Sequence, residues 1–202
     1  MEKEGALMTN RSRLEKHNAL QNNLPYFFRH APIKIKNKLT GEMTVFFMNQ
    51  AQEYIHERLE EQLRNMGKIR ALIVKGRQQG ASTYIGARYY RNSTRRKNKK
   101  VFILTHESAA TNELFERTKN FQEGIAEEVA PDLEDSNART LSFSNVGSQY
   151  QVGTAGAANT GRGTTTDYFH GSEVAFWPHP EAWLAAMQTV PIRGESWVFV
   201  ES

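Results

Sequence analysis

Cysteine is absent from all 202 residues, which excludes disulfides and thiolate metal sites and leaves oxygen and imidazole as the only donors for a metal. Long apolar runs are missing as well. Nothing approaches the roughly 20 apolar residues that a helix needs to cross a bilayer. The mixed-charge opening Met1-Glu2-Lys3-Glu4 is unlike the basic, then apolar, leader of a secreted chain. A soluble, cytosolic protein with no membrane partner is expected. Internal repeats and low-complexity tracts are absent, and so is a strong charge of either sign. The 26 Lys and Arg against 22 Asp and Glu leave +4, with a pI near 9.3, a balance that tolerates an anionic partner without demanding one. What is present, 39% hydrophobic and 24% charged residues, suits one globular domain with its own core plus an N-terminal arm.

Residues 1 to about 24 are polar and aperiodic, which predicts an arm that is mobile alone or orders on a partner. Alternation from Ile33 to Asn37 and from Met43 to Met48, around Thr40-Gly41, predicts a β-hairpin. Tyr54, Ile55, Leu59 and Leu63 recur at helical spacing between Gln50 and Asn65. The apolar run Ile69 to Val74 then stops at Lys75-Gly-Arg-Gln-Gln-Gly-Ala-Ser82, and Thr83 to Ser93 reads as a helix. A second apolar strand, Val101 to Leu104, precedes a second helix, His106 to Gln122. Leu141–Phe143 and Gln149–Val152 suggest a hairpin laid on the sheet, and strands at Tyr168–Ser172 and Trp197–Val200 flank a helix from Pro180 to Gln188. Strands that are apolar almost throughout and alternate with helices predict an α/β fold, its mostly parallel sheet covered on both faces. The division expected is an arm and hairpin over 1–44 and a core over 45–202.

A nucleoside triphosphate needs clustered backbone N–H groups, a helix N-terminus, a cation, and a hydroxyl for Mg2+. The loop from Lys75 through Gly76, Arg77, Gln78, Gln79, Gly80, Ala81 and Ser82 to Thr83 can supply all four. Gly80 permits the turn, and Ser82 or Thr83 offers the hydroxyl. Ala81 stands where the usual lysine would be, so Lys75, or else Arg77, must carry the charge. The pattern Lys-x-x-x-x-Gly-x-Ser is weak by itself, and its position between an apolar strand and a helix is what gives it meaning.

The strand Tyr168–Ser172 ends at Glu173, where a carboxylate would orient and polarise an attacking water. The preceding position, commonly an Asp that helps hold the water shell of Mg2+, is Ser172. Upstream, Gly153 to Gly163 is too rich in small residues for a regular element, and Arg162 between two glycines is a candidate arginine finger. His106 and His170 each lack a second ligand nearby in sequence and read as core or strand-end residues. The basic run Arg88, Arg91, Arg95, Arg96, Lys97, Lys99 and Lys100 contains no acid and reads as a DNA-phosphate contact or as a solvated helix end.

Taken together, Asn49-Gln-Ala-Gln52, Lys75 to Thr83, Thr105-His-Glu107, Gly161-Arg-Gly163, His170 to Trp177 and Val200-Glu-Ser202 resemble, in order, the large terminase subunits of tailed phages. The resemblance covers about residues 45 to 202. It implies a three-layer P-loop ATPase of the RecA-like additional-strand type that binds ATP and Mg2+. Such a domain forms a ring on the portal protein, works with the small terminase subunit, and drives double-stranded viral DNA into a procapsid in the host cytoplasm. It implies that Lys75 is the loop cation, that Gln52 recognises adenine, and that Glu173 is the general base. Arg162 then reaches a neighbouring subunit's ATP, Ser82 and, through water, Glu173 hold Mg2+, and Glu201-Ser202 opens the coupling motif. Ala81 and Ser172 depart from the pattern and bear on rate more than on binding. The remainder of the coupling motif and the nuclease half are expected to lie beyond this sequence. The competing readings are a helicase-like DNA-stimulated ATPase and a nucleotide-binding assembly module with little turnover.

Overall fold

The computed structural model describes residues 2–125, 127–155, 165–179, 181–192 and 194–202, and of these the side chains of 2–11, 128 and 135 are not described. In chain order the elements are helices α1 (Glu2–Asn22) and α2 (Leu24–His30), strands β1 (Lys34–Lys36) and β2 (Met43–Val45), α3 (Gln50–Met66), β3 (Ile69–Ile73), α4 (Ala81–Arg95), β4 (Lys100–Thr105), α5 (Ser108–Gly124), β5 (Leu133–Ser136), β6 (Thr140–Phe143), β7 (Ser148–Thr154), β8 (Tyr168–Ser172), α6 (Glu181–Gln188) and β9 (Trp197–Glu201).

Seven described strands make one sheet in the order β3-β9-β8-β4-β7-β6-β5. Every pair from β3 to β7 is parallel, and β6 and β5 continue antiparallel. Apolar residues on both faces of each central strand account for this. Val101, Ile103, Tyr168, Trp197 and Phe199 pack with Tyr84, Ile85, Tyr89 and Phe115 from α4 and α5. The alternate residues Phe102, Leu104, Phe169 and Val198 pack with Trp177 and with Ala186 of α6. Helices therefore cover both faces, as a sheet with apolar residues on two sides requires. The last strand, β9, lies between β3 and β8, so the ends of all three come together at one edge of the layer.

Several details differ from the sequence expectation. Residues 2–22 form a helix where an arm was expected. Its final turn reaches the body, where the Arg91 guanidinium donates to the Gln21 carbonyl. α2 was not foreseen. It begins at Asn23, whose side chain accepts from Tyr26 N at 2.9 Å, and it buries Leu24, Phe27 and Phe28, so three apolar residues in one short turn hold what no long period announces. The Leu141–Val152 hairpin does not lie on the sheet but extends it, because β7 pairs with β4 along its length. The basic run is not a continuous exposed face: Arg88 and Arg91 on α4 are buried.

Arg88 is fully buried with its guanidinium 2.7 Å from Glu60, 3.1 Å from the Tyr84 hydroxyl and stacked 4.4 Å from the Trp197 ring. Burial, then the neighbouring Arg88 charge, pulls His56 down to about 4. Glu60→Gln leaves a buried guanidinium without its counter-charge and is expected to lower the unfolding free energy by about 3 kcal/mol, read by urea denaturation. The native chain keeps His56 neutral where the unfolded chain protonates it. Stability is therefore expected to rise with pH between about 4 and the ordinary histidine value of 6.5, and the slope in that window should flatten in His56→Asn.

Candidate functional site

Between β3 and α4 the chain turns through two left-handed residues, Gln78 at φ 64° and Gly80 at φ 78°. Gly80 meets a backbone requirement and a close approach: a Cβ there would lie 2.5 Å from the Gln52 side-chain nitrogen, which would have to shift. The loop is tied to the start of α3. Gln52 donates from Nε2 to the Gly80 carbonyl at 2.8 Å, and Asn49 donates from Nδ2 to the Gln79 carbonyl at 3.3 Å. Asn49 and Gln52 also cap α3 reciprocally, a pairing that satisfies two helix-end donors and fixes both side chains. Gln52 therefore stands beside the loop with its amide already engaged, its oxygen by Asn49 N and its nitrogen by Gly80. The first turn of α4 has no side-chain cap, which leaves its orphan N–H groups available to an anion.

Facing the loop is the end of β8. Gly171 allows the chain to fold over there, since a Cβ would meet Val174 Cγ2 at 2.8 Å. Glu173 follows at φ 53°, ψ 47°, a left-handed conformation that costs a non-glycine residue about 1–2 kcal/mol. The indole of Trp177 donates to the Ser172 carbonyl at 3.0 Å and pins this turn. The result is a carboxylate held at the loop: Lys75 Nζ lies 3.2 Å from Glu173 Oε1 and 3.9 Å from Glu201 Oε2.

Glu201, at the end of β9, is the residue beneath these groups, fully buried. Its Oε1 accepts from the Ser82 hydroxyl at 2.5 Å and from the Ser172 hydroxyl at 2.9 Å. His170 Nε2 comes within 3.2 Å of the same oxygen. Burial alone raises this carboxyl. The contact with His170, the Ser82 hydroxyl and the Lys75 ammonium reverse that effect and hold it down to about 2. The alternative hydroxyl, Thr83, accepts from Arg117 Nη1 at 3.0 Å, and Arg117 is held in turn by Glu113 at 2.8 Å.

These residues open onto a cleft of about 860 Å3 lined by Lys75, Arg77, Ser82, Arg117, Glu173 and Phe176 among others. Lys75, Arg77, Gln78, Gln79, Gly80, Ala81, Ser82, Thr83 and Glu173 are thus brought to one cleft; Gly76 and Gln52 do not line it, and Arg162 lies outside the described residues. Sequence reasoning missed Arg117, set aside His170, and did not assign Glu201 to the site. The signals for Glu201 were its place at the opening of the coupling motif that the resemblance implied and a carboxylate closing the otherwise apolar strand Trp197–Val200. No group of three His, Asp or Glu side chains is poised to hold a metal among the described residues. The donor set nonetheless fits a hard cation that keeps waters and takes phosphate oxygens: a helix-start hydroxyl, the Glu173 carboxylate, and Glu201 with a buried Oε2 that has no hydrogen-bond partner.

Residues 72–199 match the family described as terminase large subunit, T4likevirus-type, N-terminal. Among solved structures, the large terminase of bacteriophage HK97 superposes with a TM-score of 0.71 at 10% identity, over 90% of this chain and 37% of its own. The large terminase ATPase domain of Thermus phage P74-26 gives 0.55 at 19%, over 66% and 58%. The large terminase of a thermophilic bacteriophage gives 0.58 at 11%, over 77% and 39%. At these identities the likeness is one of fold, and the fold is the RecA-like three-layer α/β arrangement. The chain spans between 37% and 58% of the length of these three. No curated protein sequence matches it.

Because Gly80 is constrained by conformation and by the Gln52 amide together, Gly80→Ala is expected to destabilise the chain by about 1–2 kcal/mol from backbone strain, plus a clash. In a Gln52→Ala background the clash is gone. Thermal or urea melts of the four-member cycle should therefore show a smaller penalty for Gly80→Ala there, and an equal penalty would mean that the amide is not the obstacle.

Proposed function

We propose that this chain, which belongs to the family of the N-terminal part of T4-like large terminase subunits, is an ATP-hydrolysing motor domain that powers translocation of double-stranded viral DNA into a procapsid. The observation that carries this reading is the 3.2 Å approach of Lys75 to Glu173 across a cleft walled by an uncapped helix start. A cation, free amides and a carboxylate that can accept a proton converge there, and phosphoryl transfer needs little else from a protein.

The roles follow from the contacts. The triphosphate lies along Gly76 to Thr83, with the first-turn amides of α4 and the Lys75 ammonium against its oxygens. Mg2+, when bound, neutralises charge on the transferring phosphate and would be held by Ser82 and, through water, by Glu173. Before nucleotide arrives, the ammonium of Lys75 is shared between Glu173 and Glu201. The polyphosphate competes for that ammonium, which releases the Glu173 carboxylate to take a proton from the attacking water. Gln52 contributes by holding the Gly80 carbonyl, so that base recognition and loop shape depend on one amide. Arg162 completes the site of a neighbouring subunit in a ring on the portal protein, with the small terminase subunit delivering DNA in the host cytoplasm. Ser172 in place of an acid favours, as a second reading, a nucleotide-binding assembly module with little turnover.

DNA-stimulated phosphate release separates the two readings. Under the motor reading, Glu173→Gln is expected to lower kcat by about 10²- to 10⁴-fold with nucleotide still bound, whereas Lys75→Ala loses binding as well. Unchanged turnover in Glu173→Gln would remove the base assignment. Mixing Arg162→Ala with Glu173→Gln subunits is expected to restore part of the activity, because an Arg162→Ala subunit keeps its own Glu173 and receives the arginine from a Glu173→Gln neighbour. No recovery at any ratio would count against an arginine acting between subunits.

A further inference from the structure

Two positions in the site lack the residue that its chemistry calls for, and the structure shows what stands near one of them. In P-loop hydrolases the hydroxyl at the helix start and an acid on the neighbouring strand together hold the Mg2+ ion. Here the strand residue before Glu173 is Ser172, which carries no charge. β8 and β9 run parallel with Ser172 opposite Glu201, and on the other side Glu201 is opposite Ile73 at the end of the loop strand. A side chain at 201 therefore starts between the acid strand and the loop strand. The extra length of glutamate takes its carboxylate to the Ser82 hydroxyl.

We infer that Glu201 is the positioning acid of this site, providing from the adjacent strand the carboxylate that residue 172 does not. The inference rests on the nucleotide-site reading above and adds to it the residue on which cation binding depends.

The hydrogen bonds give the physical reason. A serine hydroxyl has one proton and two lone pairs. Ser82 donates its proton to Glu201 at 2.5 Å, so both lone pairs stay available to a cation in the cleft. Without an acceptor beneath it, that proton is free to turn toward the cation and oppose it. Ser172 donates to the same oxygen, which holds the carboxylate in register without charge of its own. Thr83 is not equivalent, because its oxygen already accepts from Arg117. The second oxygen of Glu201 is buried, has no hydrogen-bond partner, and lies 3.9 Å from Lys75 Nζ, so one side chain orients both the hydroxyl and the ammonium.

The test is the affinity of the full chain for a fluorescent ATP analogue, measured in EDTA and again in Mg2+. Wild type is expected to bind in both, more tightly with Mg2+. Glu201→Gln keeps the shape and an acceptor but loses the charge. Its affinity in EDTA also reflects the Lys75 ammonium that Glu201 faces, so the readout is the ratio of the two affinities: the gain from Mg2+ should shrink by about 10- to 100-fold, the usual effect of losing a group that orients a metal ligand. Glu201→Gln combined with Ser172→Asp returns a carboxylate to the missing position and should recover the gain. A purely structural role would not produce that rescue. Full Mg2+ enhancement in Glu201→Gln, or a folded double variant without recovery, overturns the inference. If Glu201→Gln does not fold by circular dichroism, the double variant is decisive by itself in the same way. Wild type that binds no nucleotide in either condition would instead overturn the site reading from which the inference starts.

Discussion

A carboxylate shut away from water has to be surrounded by donors, and that requirement at Glu201 ties the molecule's working parts together. The loop helix contributes the Ser82 hydroxyl, β8 contributes Ser172 and His170, and the loop after β3 contributes Lys75. None of these elements is adjacent to β9 in sequence. They meet because parallel strands end on the same side of a sheet, and because β9 enters between the other two. The depressed carboxyl of Glu201 reflects the same arrangement: desolvation works against the charge, and the neighbours outweigh it.

Around that centre the supporting contacts are of a different kind. Gln52 and Asn49 grip the loop from outside by backbone carbonyls, and Trp177 grips the turn at Glu173 in the same manner. Two left-handed loop residues and one left-handed glutamate are held by these bonds and by packing. Strain of this sort survives only where the surroundings over-determine it. The loop, the turn at Glu173 and the buried acid thus meet along one edge of the cleft.

Much of this was legible in the chain itself. The loop from Lys75 to Thr83 was readable because glycine, small residues and hydroxyls cluster between an apolar strand and a helix, all within local sequence. Glu173 was readable because it follows a strand. The two-sided apolar character of Val101–Leu104 and Trp197–Val200 foretold a covered parallel sheet. α2 was not legible, since seven residues give too short a period to recognise. Nor was β5, whose sequence Leu133-Glu-Asp-Ser136 is largely polar and becomes a strand only by pairing with β6. The burial of Arg88 and Arg91 was hidden for another reason. Charge in a sequence reads as surface, and only the docking of α1, α3 and β9 against α4 supplies Gln21, Glu60 and Trp197 as partners.

The amino-acid order by itself determined the central strands, the helices between them and the loop that joins β3 to α4, because propensity, apolar period and glycine placement act over a few neighbouring residues. Strand order was decided only in three dimensions. Placing β9 between β3 and β8 set Glu201 opposite both Ile73 and Ser172, and pairings between segments so far apart in the chain leave no mark in local sequence. The acid that the motif lacks at position 172 is therefore present in the fold, brought there by register.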